Sequence, residues 1–355
     1  MSNVINNIDI NNNEINLIDF NKSCSGRLTN LTIMLLEACN LDCWMCDYAK
    51  SKGLKKKIPL IPDEIVDLLS HPFFGKLESV TFTGGEPFAY PGLEDLYVSI
   101  LNNIPNLIVN FSTNATLLKK MTRVFDHVKD WSKVNVFVSV DGIETHDEQR
   151  GVEGCFEETT KNIDELRKLY PGISITLKLT ITKINHQEIE DAHDYFVDKG
   201  YSFTAKFVEN NPYYTNKLNN DRNDDFSFND DQYRIIFKQI DSIIKKDKQE
   251  NKRINELKEL HDAMCISGWK RPDRCLTPKQ GAFIDSDLNF FSCKEYPPVA
   301  NLSKVSLSDL TSMPEYLDIV KHEKNNSAKC THCLSQMKMP ARGGLWFNLL
   351  NSFSN

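Results

Sequence analysis

No apolar run in the 355 residues approaches the roughly 18 positions that a membrane-spanning helix needs, which excludes a helical integral membrane protein. Basic charge is not in excess either. Forty-two Lys and Arg stand against 49 Asp and Glu, a net charge of −7, so no chain-wide field exists to hold nucleic acid. The first twenty residues have neither the basic segment nor the continuous apolar stretch of a secretory signal, and the expected compartment is the reducing cytoplasm, with no membrane partner. A dinucleotide G-x-G-x-x-G, a Walker loop and a fixed-period repeat are also missing. With 40% apolar and 26% charged residues, the chain has the composition of a globular protein of one large domain or two moderate ones.

Cysteine, by contrast, is plentiful. Ten residues in a reducing compartment need a purpose other than disulfides. Cys24, Cys155 and Cys265 stand alone, whereas Cys39, Cys43 and Cys46 fall within eight residues, and Cys330 and Cys333 form a C-x-x-C near the end of the chain. Such clustering points to metal.

The pattern along the chain is βα throughout. Short apolar or β-branched runs at 31–37, 79–83, 107–112, 134–140, 173–181 and 202–208 read as strands. Segments 62–69, 93–101, 117–128, 156–169 and 187–199 space their apolar residues as helices covering a sheet do. Six parallel βα units form a doubly wound sheet or a complete or partial TIM-type barrel, and either gathers its ligands where the strands end. The motifs fall there: the cysteine cluster after the first strand, Gly84-Gly85-Glu86-Pro87 after the second, Ser112-Thr113-Asn114 ending the third and Ser139-Val140-Asp141-Gly142 ending the fourth.

C-x-x-x-C-x-x-C in a polar loop gives three thiolates, the set that holds an iron–sulfur cubane and leaves one iron open, while a structural zinc site wants a fourth ligand. The alternative is that the three are small buried hydrophobes. Taken with Trp44, the glycine pair, the 112–115 stretch and the Ser139-to-Gly151 stretch, the segment from about 29 to 208 resembles the radical S-adenosylmethionine (SAM) superfamily. The resemblance implies a partial (βα)6 barrel in which Cys39, Cys43 and Cys46 carry a 4Fe-4S cluster whose fourth iron chelates SAM. It also implies one-electron cleavage of SAM to a 5′-deoxyadenosyl radical that removes hydrogen from substrate, with an electron-donor protein such as a flavodoxin or ferredoxin as partner. The backbone of Gly84, Gly85 and Glu86 is expected at the SAM amino group, Ser139 and Arg150 at its carboxylate or ribose, and Trp44 near the adenine. The bland readings are a surface Arg150 and a capping Ser139. Ala115 departs from the family's frequent glycine, which makes its backbone angle less permissive.

A second constellation follows. Cys275, Cys293, Cys330 and Cys333 suit one site, a Cys₄ zinc or a fully ligated 4Fe-4S cluster. Their order after such a core resembles the Twitch domain, the shortened SPASM-type extension, which implies a second, auxiliary 4Fe-4S cluster. The expected architecture is an α/β partial barrel with a small C-terminal cluster-binding domain: an arm (1–28), the core (29–210), a loop and charged helix (211–264), the auxiliary domain (265–340) and a tail (341–355). Cys265 is either a hydrogen-atom donor in the site or a structural thiol, and Cys155, at a helix start, is read as packing.

The resemblance implies an oxidoreductase in which the auxiliary cluster takes the second electron. About 30 residues precede the first motif, too few for the fused leader-binding domain of many peptide modifiers, which leans the substrate towards a sugar, aminocyclitol or other small metabolite. A peptide substrate, epimerised or cross-linked with a separate leader-binding partner, is the alternative. A zinc-binding interaction protein docking through Lys55–Lys57 and the charged 245–258 segment is a third reading.

Overall fold

The computed structural model describes residues 28–46, 48, 61–208, 226, 228–249, 281–292, 297–310 and 312–321. Strands β1 (Asn30–Met34), β2 (Ser79–Thr83), β3 (Ile108–Thr113), β4 (Val134–Ser139), β5 (Ser174–Ile181) and β6 (Ser202–Phe207) alternate with helices α1 (Pro62–Ser70), α2 (Leu93–Asn103), α3 (Leu118–Phe125), α4 (His146–Arg150), α5 (Cys155–Leu169) and α6 (Ile189–Asp198). Every strand pairs in parallel with the next, so the sheet runs β6-β5-β4-β3-β2-β1. This mixed α/β parallel sheet is consistent with a TIM-type partial barrel, and its elements start and stop within a few residues of the sequence reading.

The two faces of the sheet differ because the strands alternate. Leu31, Val80, Val109 and Val134 occupy one row and Val136 and Ile175 the next, all buried against the helices. At about 25 cal/mol per Å² of apolar surface, burying such a row is the main term holding helices to sheet. Phe111 is the hub of this layer, with ring centroids of Phe88 at 5.1 Å and Phe125 at 5.8 Å. The opposite face carries Thr81, Asn110 and Asn135 in register, linked by hydrogen bonds from Asn135 Nδ2 to Asn110 Oδ1 (2.9 Å) and from Asn110 Nδ2 to Thr81 Oγ1 (3.3 Å). Its β4–β5 sector adds Phe137 with Lys178 Nζ 3.8 Å over the ring, and Ser139 in register with Lys178. A parallel sheet buried on both sides reads as continuous apolar strands; here one face instead carries a polar row.

Beyond β6, helix α7 (Asp230–Gln249) packs Ile236, Ile240, Ile243 and Ile244 on Leu179, Ile181 and Phe207. It is pinned to α6 by Lys246 Nζ to Glu190 (2.6 Å) and Asp194 (2.7 Å), and by His193 Nε2 against Asp247 (3.3 Å). On the other edge β7 (Gly281–Ile284) pairs in parallel with β1, and β8 (Asn289–Phe291) and β9 (Ala300–Asn301) continue antiparallel. The stretch read as part of a small C-terminal unit is thus continuous with the barrel sheet. Two short helices, α8 (Leu307–Leu310) and α9 (Pro314–Lys321), follow. Cys24, Cys265, Cys275, Cys293, Cys330 and Cys333, with Lys55–Lys57 and 250–258, lie outside the described residues. No helix among the described residues is long and apolar enough to cross a membrane.

Candidate active site at the cysteine loop

The chain leaves β1 through Leu35, whose N–H still reaches Thr83 O (2.9 Å), and then rises over the ends of the neighbouring strands. The glycine pair is the first support. Gly85 N–H donates to Leu36 O (2.8 Å) and Glu86 N–H to Ala38 O (3.0 Å), and a Cβ on Gly85 would lie 2.0 Å from Ala38 O. Two backbones meet there with no room for a side chain. The backbone of residues 84–86 is therefore partly committed to the loop: the amides of residues 85 and 86 hold it, and carbonyl acceptors are what this turn can offer an ammonium group.

The Glu86 carboxylate, 1% exposed, accepts from Thr113 Oγ1 (2.7 Å), Asn114 N–H (2.9 Å) and Phe88 N–H (3.1 Å). Burial, only partly offset by these donors, pushes its pKa up to about 7. Its work is to fix the turn after β3. There Ala115 takes φ 58°, in the left-handed region that glycine, frequent at this position in the family, adopts without strain. Its N–H donates to Thr113 Oγ1 (2.9 Å) and its carbonyl accepts from Asn162 Nδ2 (2.9 Å). Asn114 in turn donates to Asn40 Oδ1 (3.1 Å) and lies 3.9 Å from the Cys39 sulfur.

The second support comes from the Ser139-to-Gly151 stretch, through a short helix the sequence reading missed. Five residues are too few to show a period, but Gly151 after Arg150, at φ 68°, is the left-handed residue that ends a helix. The last carbonyls of α4 accept from the cysteine loop: Arg150 O from Asp42 N–H (3.1 Å) and Gln149 O from Trp44 N–H (3.3 Å). A Cβ on Gly151 would stand 2.3 Å from Asp42 O. Below, Asp141 (0% exposed) accepts from Thr180 N–H (2.8 Å) and its other oxygen lies 2.5 Å from Arg150 NH2, a contact of charge more than of aligned hydrogen bond. Burial works against the Arg150 charge, but Asp141 and then Cys43 outweigh it and hold its pKa above the ordinary arginine value. His146 Nδ1 accepts from Asp141 N–H (3.1 Å), and burial and Arg150 push its pKa down to about 3, so this imidazole is neutral. Gln149, Thr182 and Asn185 complete the buried network, and Glu188, just before α6, accepts from the N–H groups of residues 143 and 144. Asp141, His146 and Gln149 fall inside the quoted Ser139-to-Gly151 stretch without roles of their own there, and Asn185 and Glu188 were not singled out, because Asp141–Thr180, Gln149–Thr182 and Glu188–Ile143 join different βα units.

Cys39, Cys43 and Cys46 form no disulfide and share one patch with Leu41, Met45 and Cys155. Cys155 packs against this patch, as read from the sequence, its pKa pushed up by burial to about 11, and burial does the same to Cys39. The sulfurs carry donors: Leu41 N–H on Cys39 (3.5 Å), and Arg150 NH1 on Cys43 (3.8 Å). Among the described residues no three metal-ligating side chains converge on one point. A cubane does not ask for that, since each thiolate takes its own iron. The chemistry fits such a cluster: soft ligands with N–H groups on their sulfurs, and a buried Arg150 Nε without a partner to receive an anionic group. Trp44 packs on Phe226 with centroids 5.4 Å apart, and Ser139 sits half-buried where β4 ends.

Residues 33–196 match the family model described as Radical SAM superfamily, and this part of the chain is a radical SAM domain. The sporulation killing factor maturation protein SkfB of Bacillus subtilis (strain 168) is 28% identical over 170 residues, covering 48% of this chain and 40% of that protein. The AdoMet-dependent heme synthase of Methanosarcina barkeri is 29% identical over 157 residues, covering 44% and 43%. The match thus spans less than half the length of these curated relatives. Streptococcus suis SuiB bound to its precursor peptide SuiA has the same fold, with TM-score 0.64, 16% identity and coverage of 99% of this chain and 81% of that one.

Proposed function

We propose that the chain, carrying a radical SAM domain over residues 33–196, is a radical SAM oxidoreductase. The family implies a 4Fe-4S cluster and bound SAM, and the observation that carries the reading is the three-thiol loop held from both sides with N–H donors on two of its sulfurs. When bound, cluster and SAM supply a low-potential electron and a 5′-deoxyadenosyl radical that removes hydrogen from substrate. The protein's share is placement. Cys39, Cys43 and Cys46 hold the cluster. Carbonyls of the 84–86 turn receive the SAM amino group, Ser139 and the free Nε of Arg150 its carboxylate, and Trp44 flanks the adenine. The polar sheet face with Phe137, Ser139 and Lys178 faces the substrate.

The relatives sharing this domain are named for a killing-factor maturation, a heme synthesis and, in several organisms, a GTP 3′,8-cyclase. The domain therefore sets the chemistry and leaves the substrate to the rest of the chain. We take a sugar, aminocyclitol or other small metabolite as substrate. Cys275, Cys293, Cys330 and Cys333 would hold an auxiliary 4Fe-4S cluster able to accept its second electron, and a flavodoxin or ferredoxin would supply the first. A peptide is the second reading, favoured by the match to SkfB and by the fold shared with peptide-bound SuiB.

The test is iron and acid-labile sulfide on anaerobically purified protein, with SAM cleavage after reduction. About eight irons with 5′-deoxyadenosine formed supports two cubanes in a radical enzyme. About four with cleavage removes the auxiliary acceptor, and zinc without cleavage overturns the reading.

A further inference from the structure

Arg150 comes from a different βα unit than Cys43, 107 positions earlier, yet three features bring its side chain to that sulfur. Its own carbonyl accepts from Asp42 N–H (3.1 Å), next to Cys43 in the chain. Gly151, left-handed and without a Cβ, lets the two backbones close to that distance. Asp141, fully buried and fixed by Thr180 N–H, takes NH2 and so turns NH1 onto Cys43 Sγ at 3.8 Å. A guanidinium is a rigid fork: with one arm on a fixed carboxylate the other has one direction to point. Both groups are nearly out of water, with Arg150 8% and Cys43 6% exposed, so the contact acts in a medium that screens it little.

We infer that Arg150, oriented by Asp141, is a positioning residue that donates to the Cys43 thiolate and raises the reduction potential of the cluster bound there. A donor on a ligating sulfur draws electron density from the thiolate and stabilises the state with one more electron. The step served is uptake of one electron by the oxidised cluster from an external one-electron reductant, with no bond made or broken. This role acts on the cluster itself, before SAM binds, and is separate from any contact between Nε and SAM.

The inference rests on the cluster assignment to Cys39, Cys43 and Cys46, and its test keeps the two apart. Wild type, Arg150→Lys and the double variant Asp141→Asn/Arg150→Met are loaded with iron and sulfide and poised at one potential without SAM. Arg150→Lys keeps a cation for Asp141 but loses the second arm, and the double variant removes both charges together, leaving neither stranded. In both, the ratio of reduced to oxidised cluster should fall about tenfold, equivalent to about 59 mV for one electron, and the EPR spectrum of the reduced cluster should shift. An unchanged ratio and spectrum, with only SAM affinity lost, overturns the inference and leaves Arg150 as a SAM ligand. If one variant does not load, the other decides on the same readout. Failure of wild type to take up iron overturns the cluster assignment itself.

Discussion

Two carboxylates lie buried beneath the cysteine loop, one on each side, and they do different work. Glu86 meets only uncharged donors, the Thr113 hydroxyl and two backbone amides, and burial pushes its pKa up to about 7. Asp141 has a cation 2.5 Å away as well as a backbone amide. The first shapes a turn and the second aims a charge. Between them the loop is gripped by backbone bonds on both flanks, from the Gly85 and Glu86 amides on one and the Gln149 and Arg150 carbonyls on the other. The cysteine motif is short, but its conformation is imposed by residues about 50 to about 110 positions away.

The contrast is broken most forcefully at Arg150. Replacing it alone with Met strands Asp141 in a dry site, at an expected cost of about 3–5 kcal/mol in the unfolding free energy. Asp141→Asn/Arg150→Met should recover most of that loss, and a double-mutant cycle by denaturant titration gives the coupling. Equal losses in single and double variants would show that the charge pair is not what the fold depends on. On the other flank Gly85→Ala puts a methyl 2.0 Å from Ala38 O and 2.8 Å from Cys39 N. Neither is a side-chain end that can swing away, so overpacking of about 1–3 kcal/mol and loss of iron binding are expected. Full iron with wild-type stability would mean the loop yields.

The Glu86 side is tested by pH. Its folded pKa lies above its ordinary value of 4.5, so the folded chain holds this proton more tightly than the unfolded one. The stability it confers is present in full below pH 4.5 and drops away as pH rises towards about 7. Glu86→Gln removes that slope while costing about 1–3 kcal/mol, since an amide N–H₂ would face the Asn114 N–H or the Thr113 hydroxyl. Urea midpoints at several pH values across this range check it, and a variant whose slope equals the wild type's would assign the titration to another group.

Strands and helices were legible in the sequence because local periods report them. Val134, Val136 and Val138 alternate into the core, and the five longer helices between the six parallel strands carry their apolar stripes on one side. The candidate site was legible where its residues lie at short spacings, as in Cys39, Cys43 and Cys46, which share one patch, and the glycine pair that holds their loop. What could not be read is held by partners far apart in the chain. Asp141 with Thr180, Asn185 with the carbonyl of Asp141 and β7 with β1 each join separate units, and no one-dimensional pattern encodes them. Glu86 shows the intermediate case: its position was evident, whereas its side chain turned out to serve the β3 turn.

Ala115 is the finest test, because the sequence flagged the position and the structure shows how the strain is held. An L-residue in the left-handed region costs about 1–2 kcal/mol, which Gly would relieve. Against this, Ala115 is fully buried, and losing its methyl costs about 0.8 kcal/mol. The freer unfolded chain with Gly costs a further 0.4–1 kcal/mol or so. The terms nearly cancel, so Ala115→Gly should change stability by less than about 1 kcal/mol, whereas Ala115→Val, adding a β-branch to the same backbone, should be clearly destabilising. The near-cancellation accounts for alanine being tolerated where the turn asks for glycine: Thr113 Oγ1 and Asn162 Nδ2 hold the strained residue from both sides, and Glu86 holds Thr113. If that chain of support is real, Ala115→Gly should lessen the damage done by Glu86→Gln, since a turn that glycine adopts without strain depends less on the carboxylate beneath it. Strict additivity of the two substitutions in denaturant would uncouple the turn from Glu86.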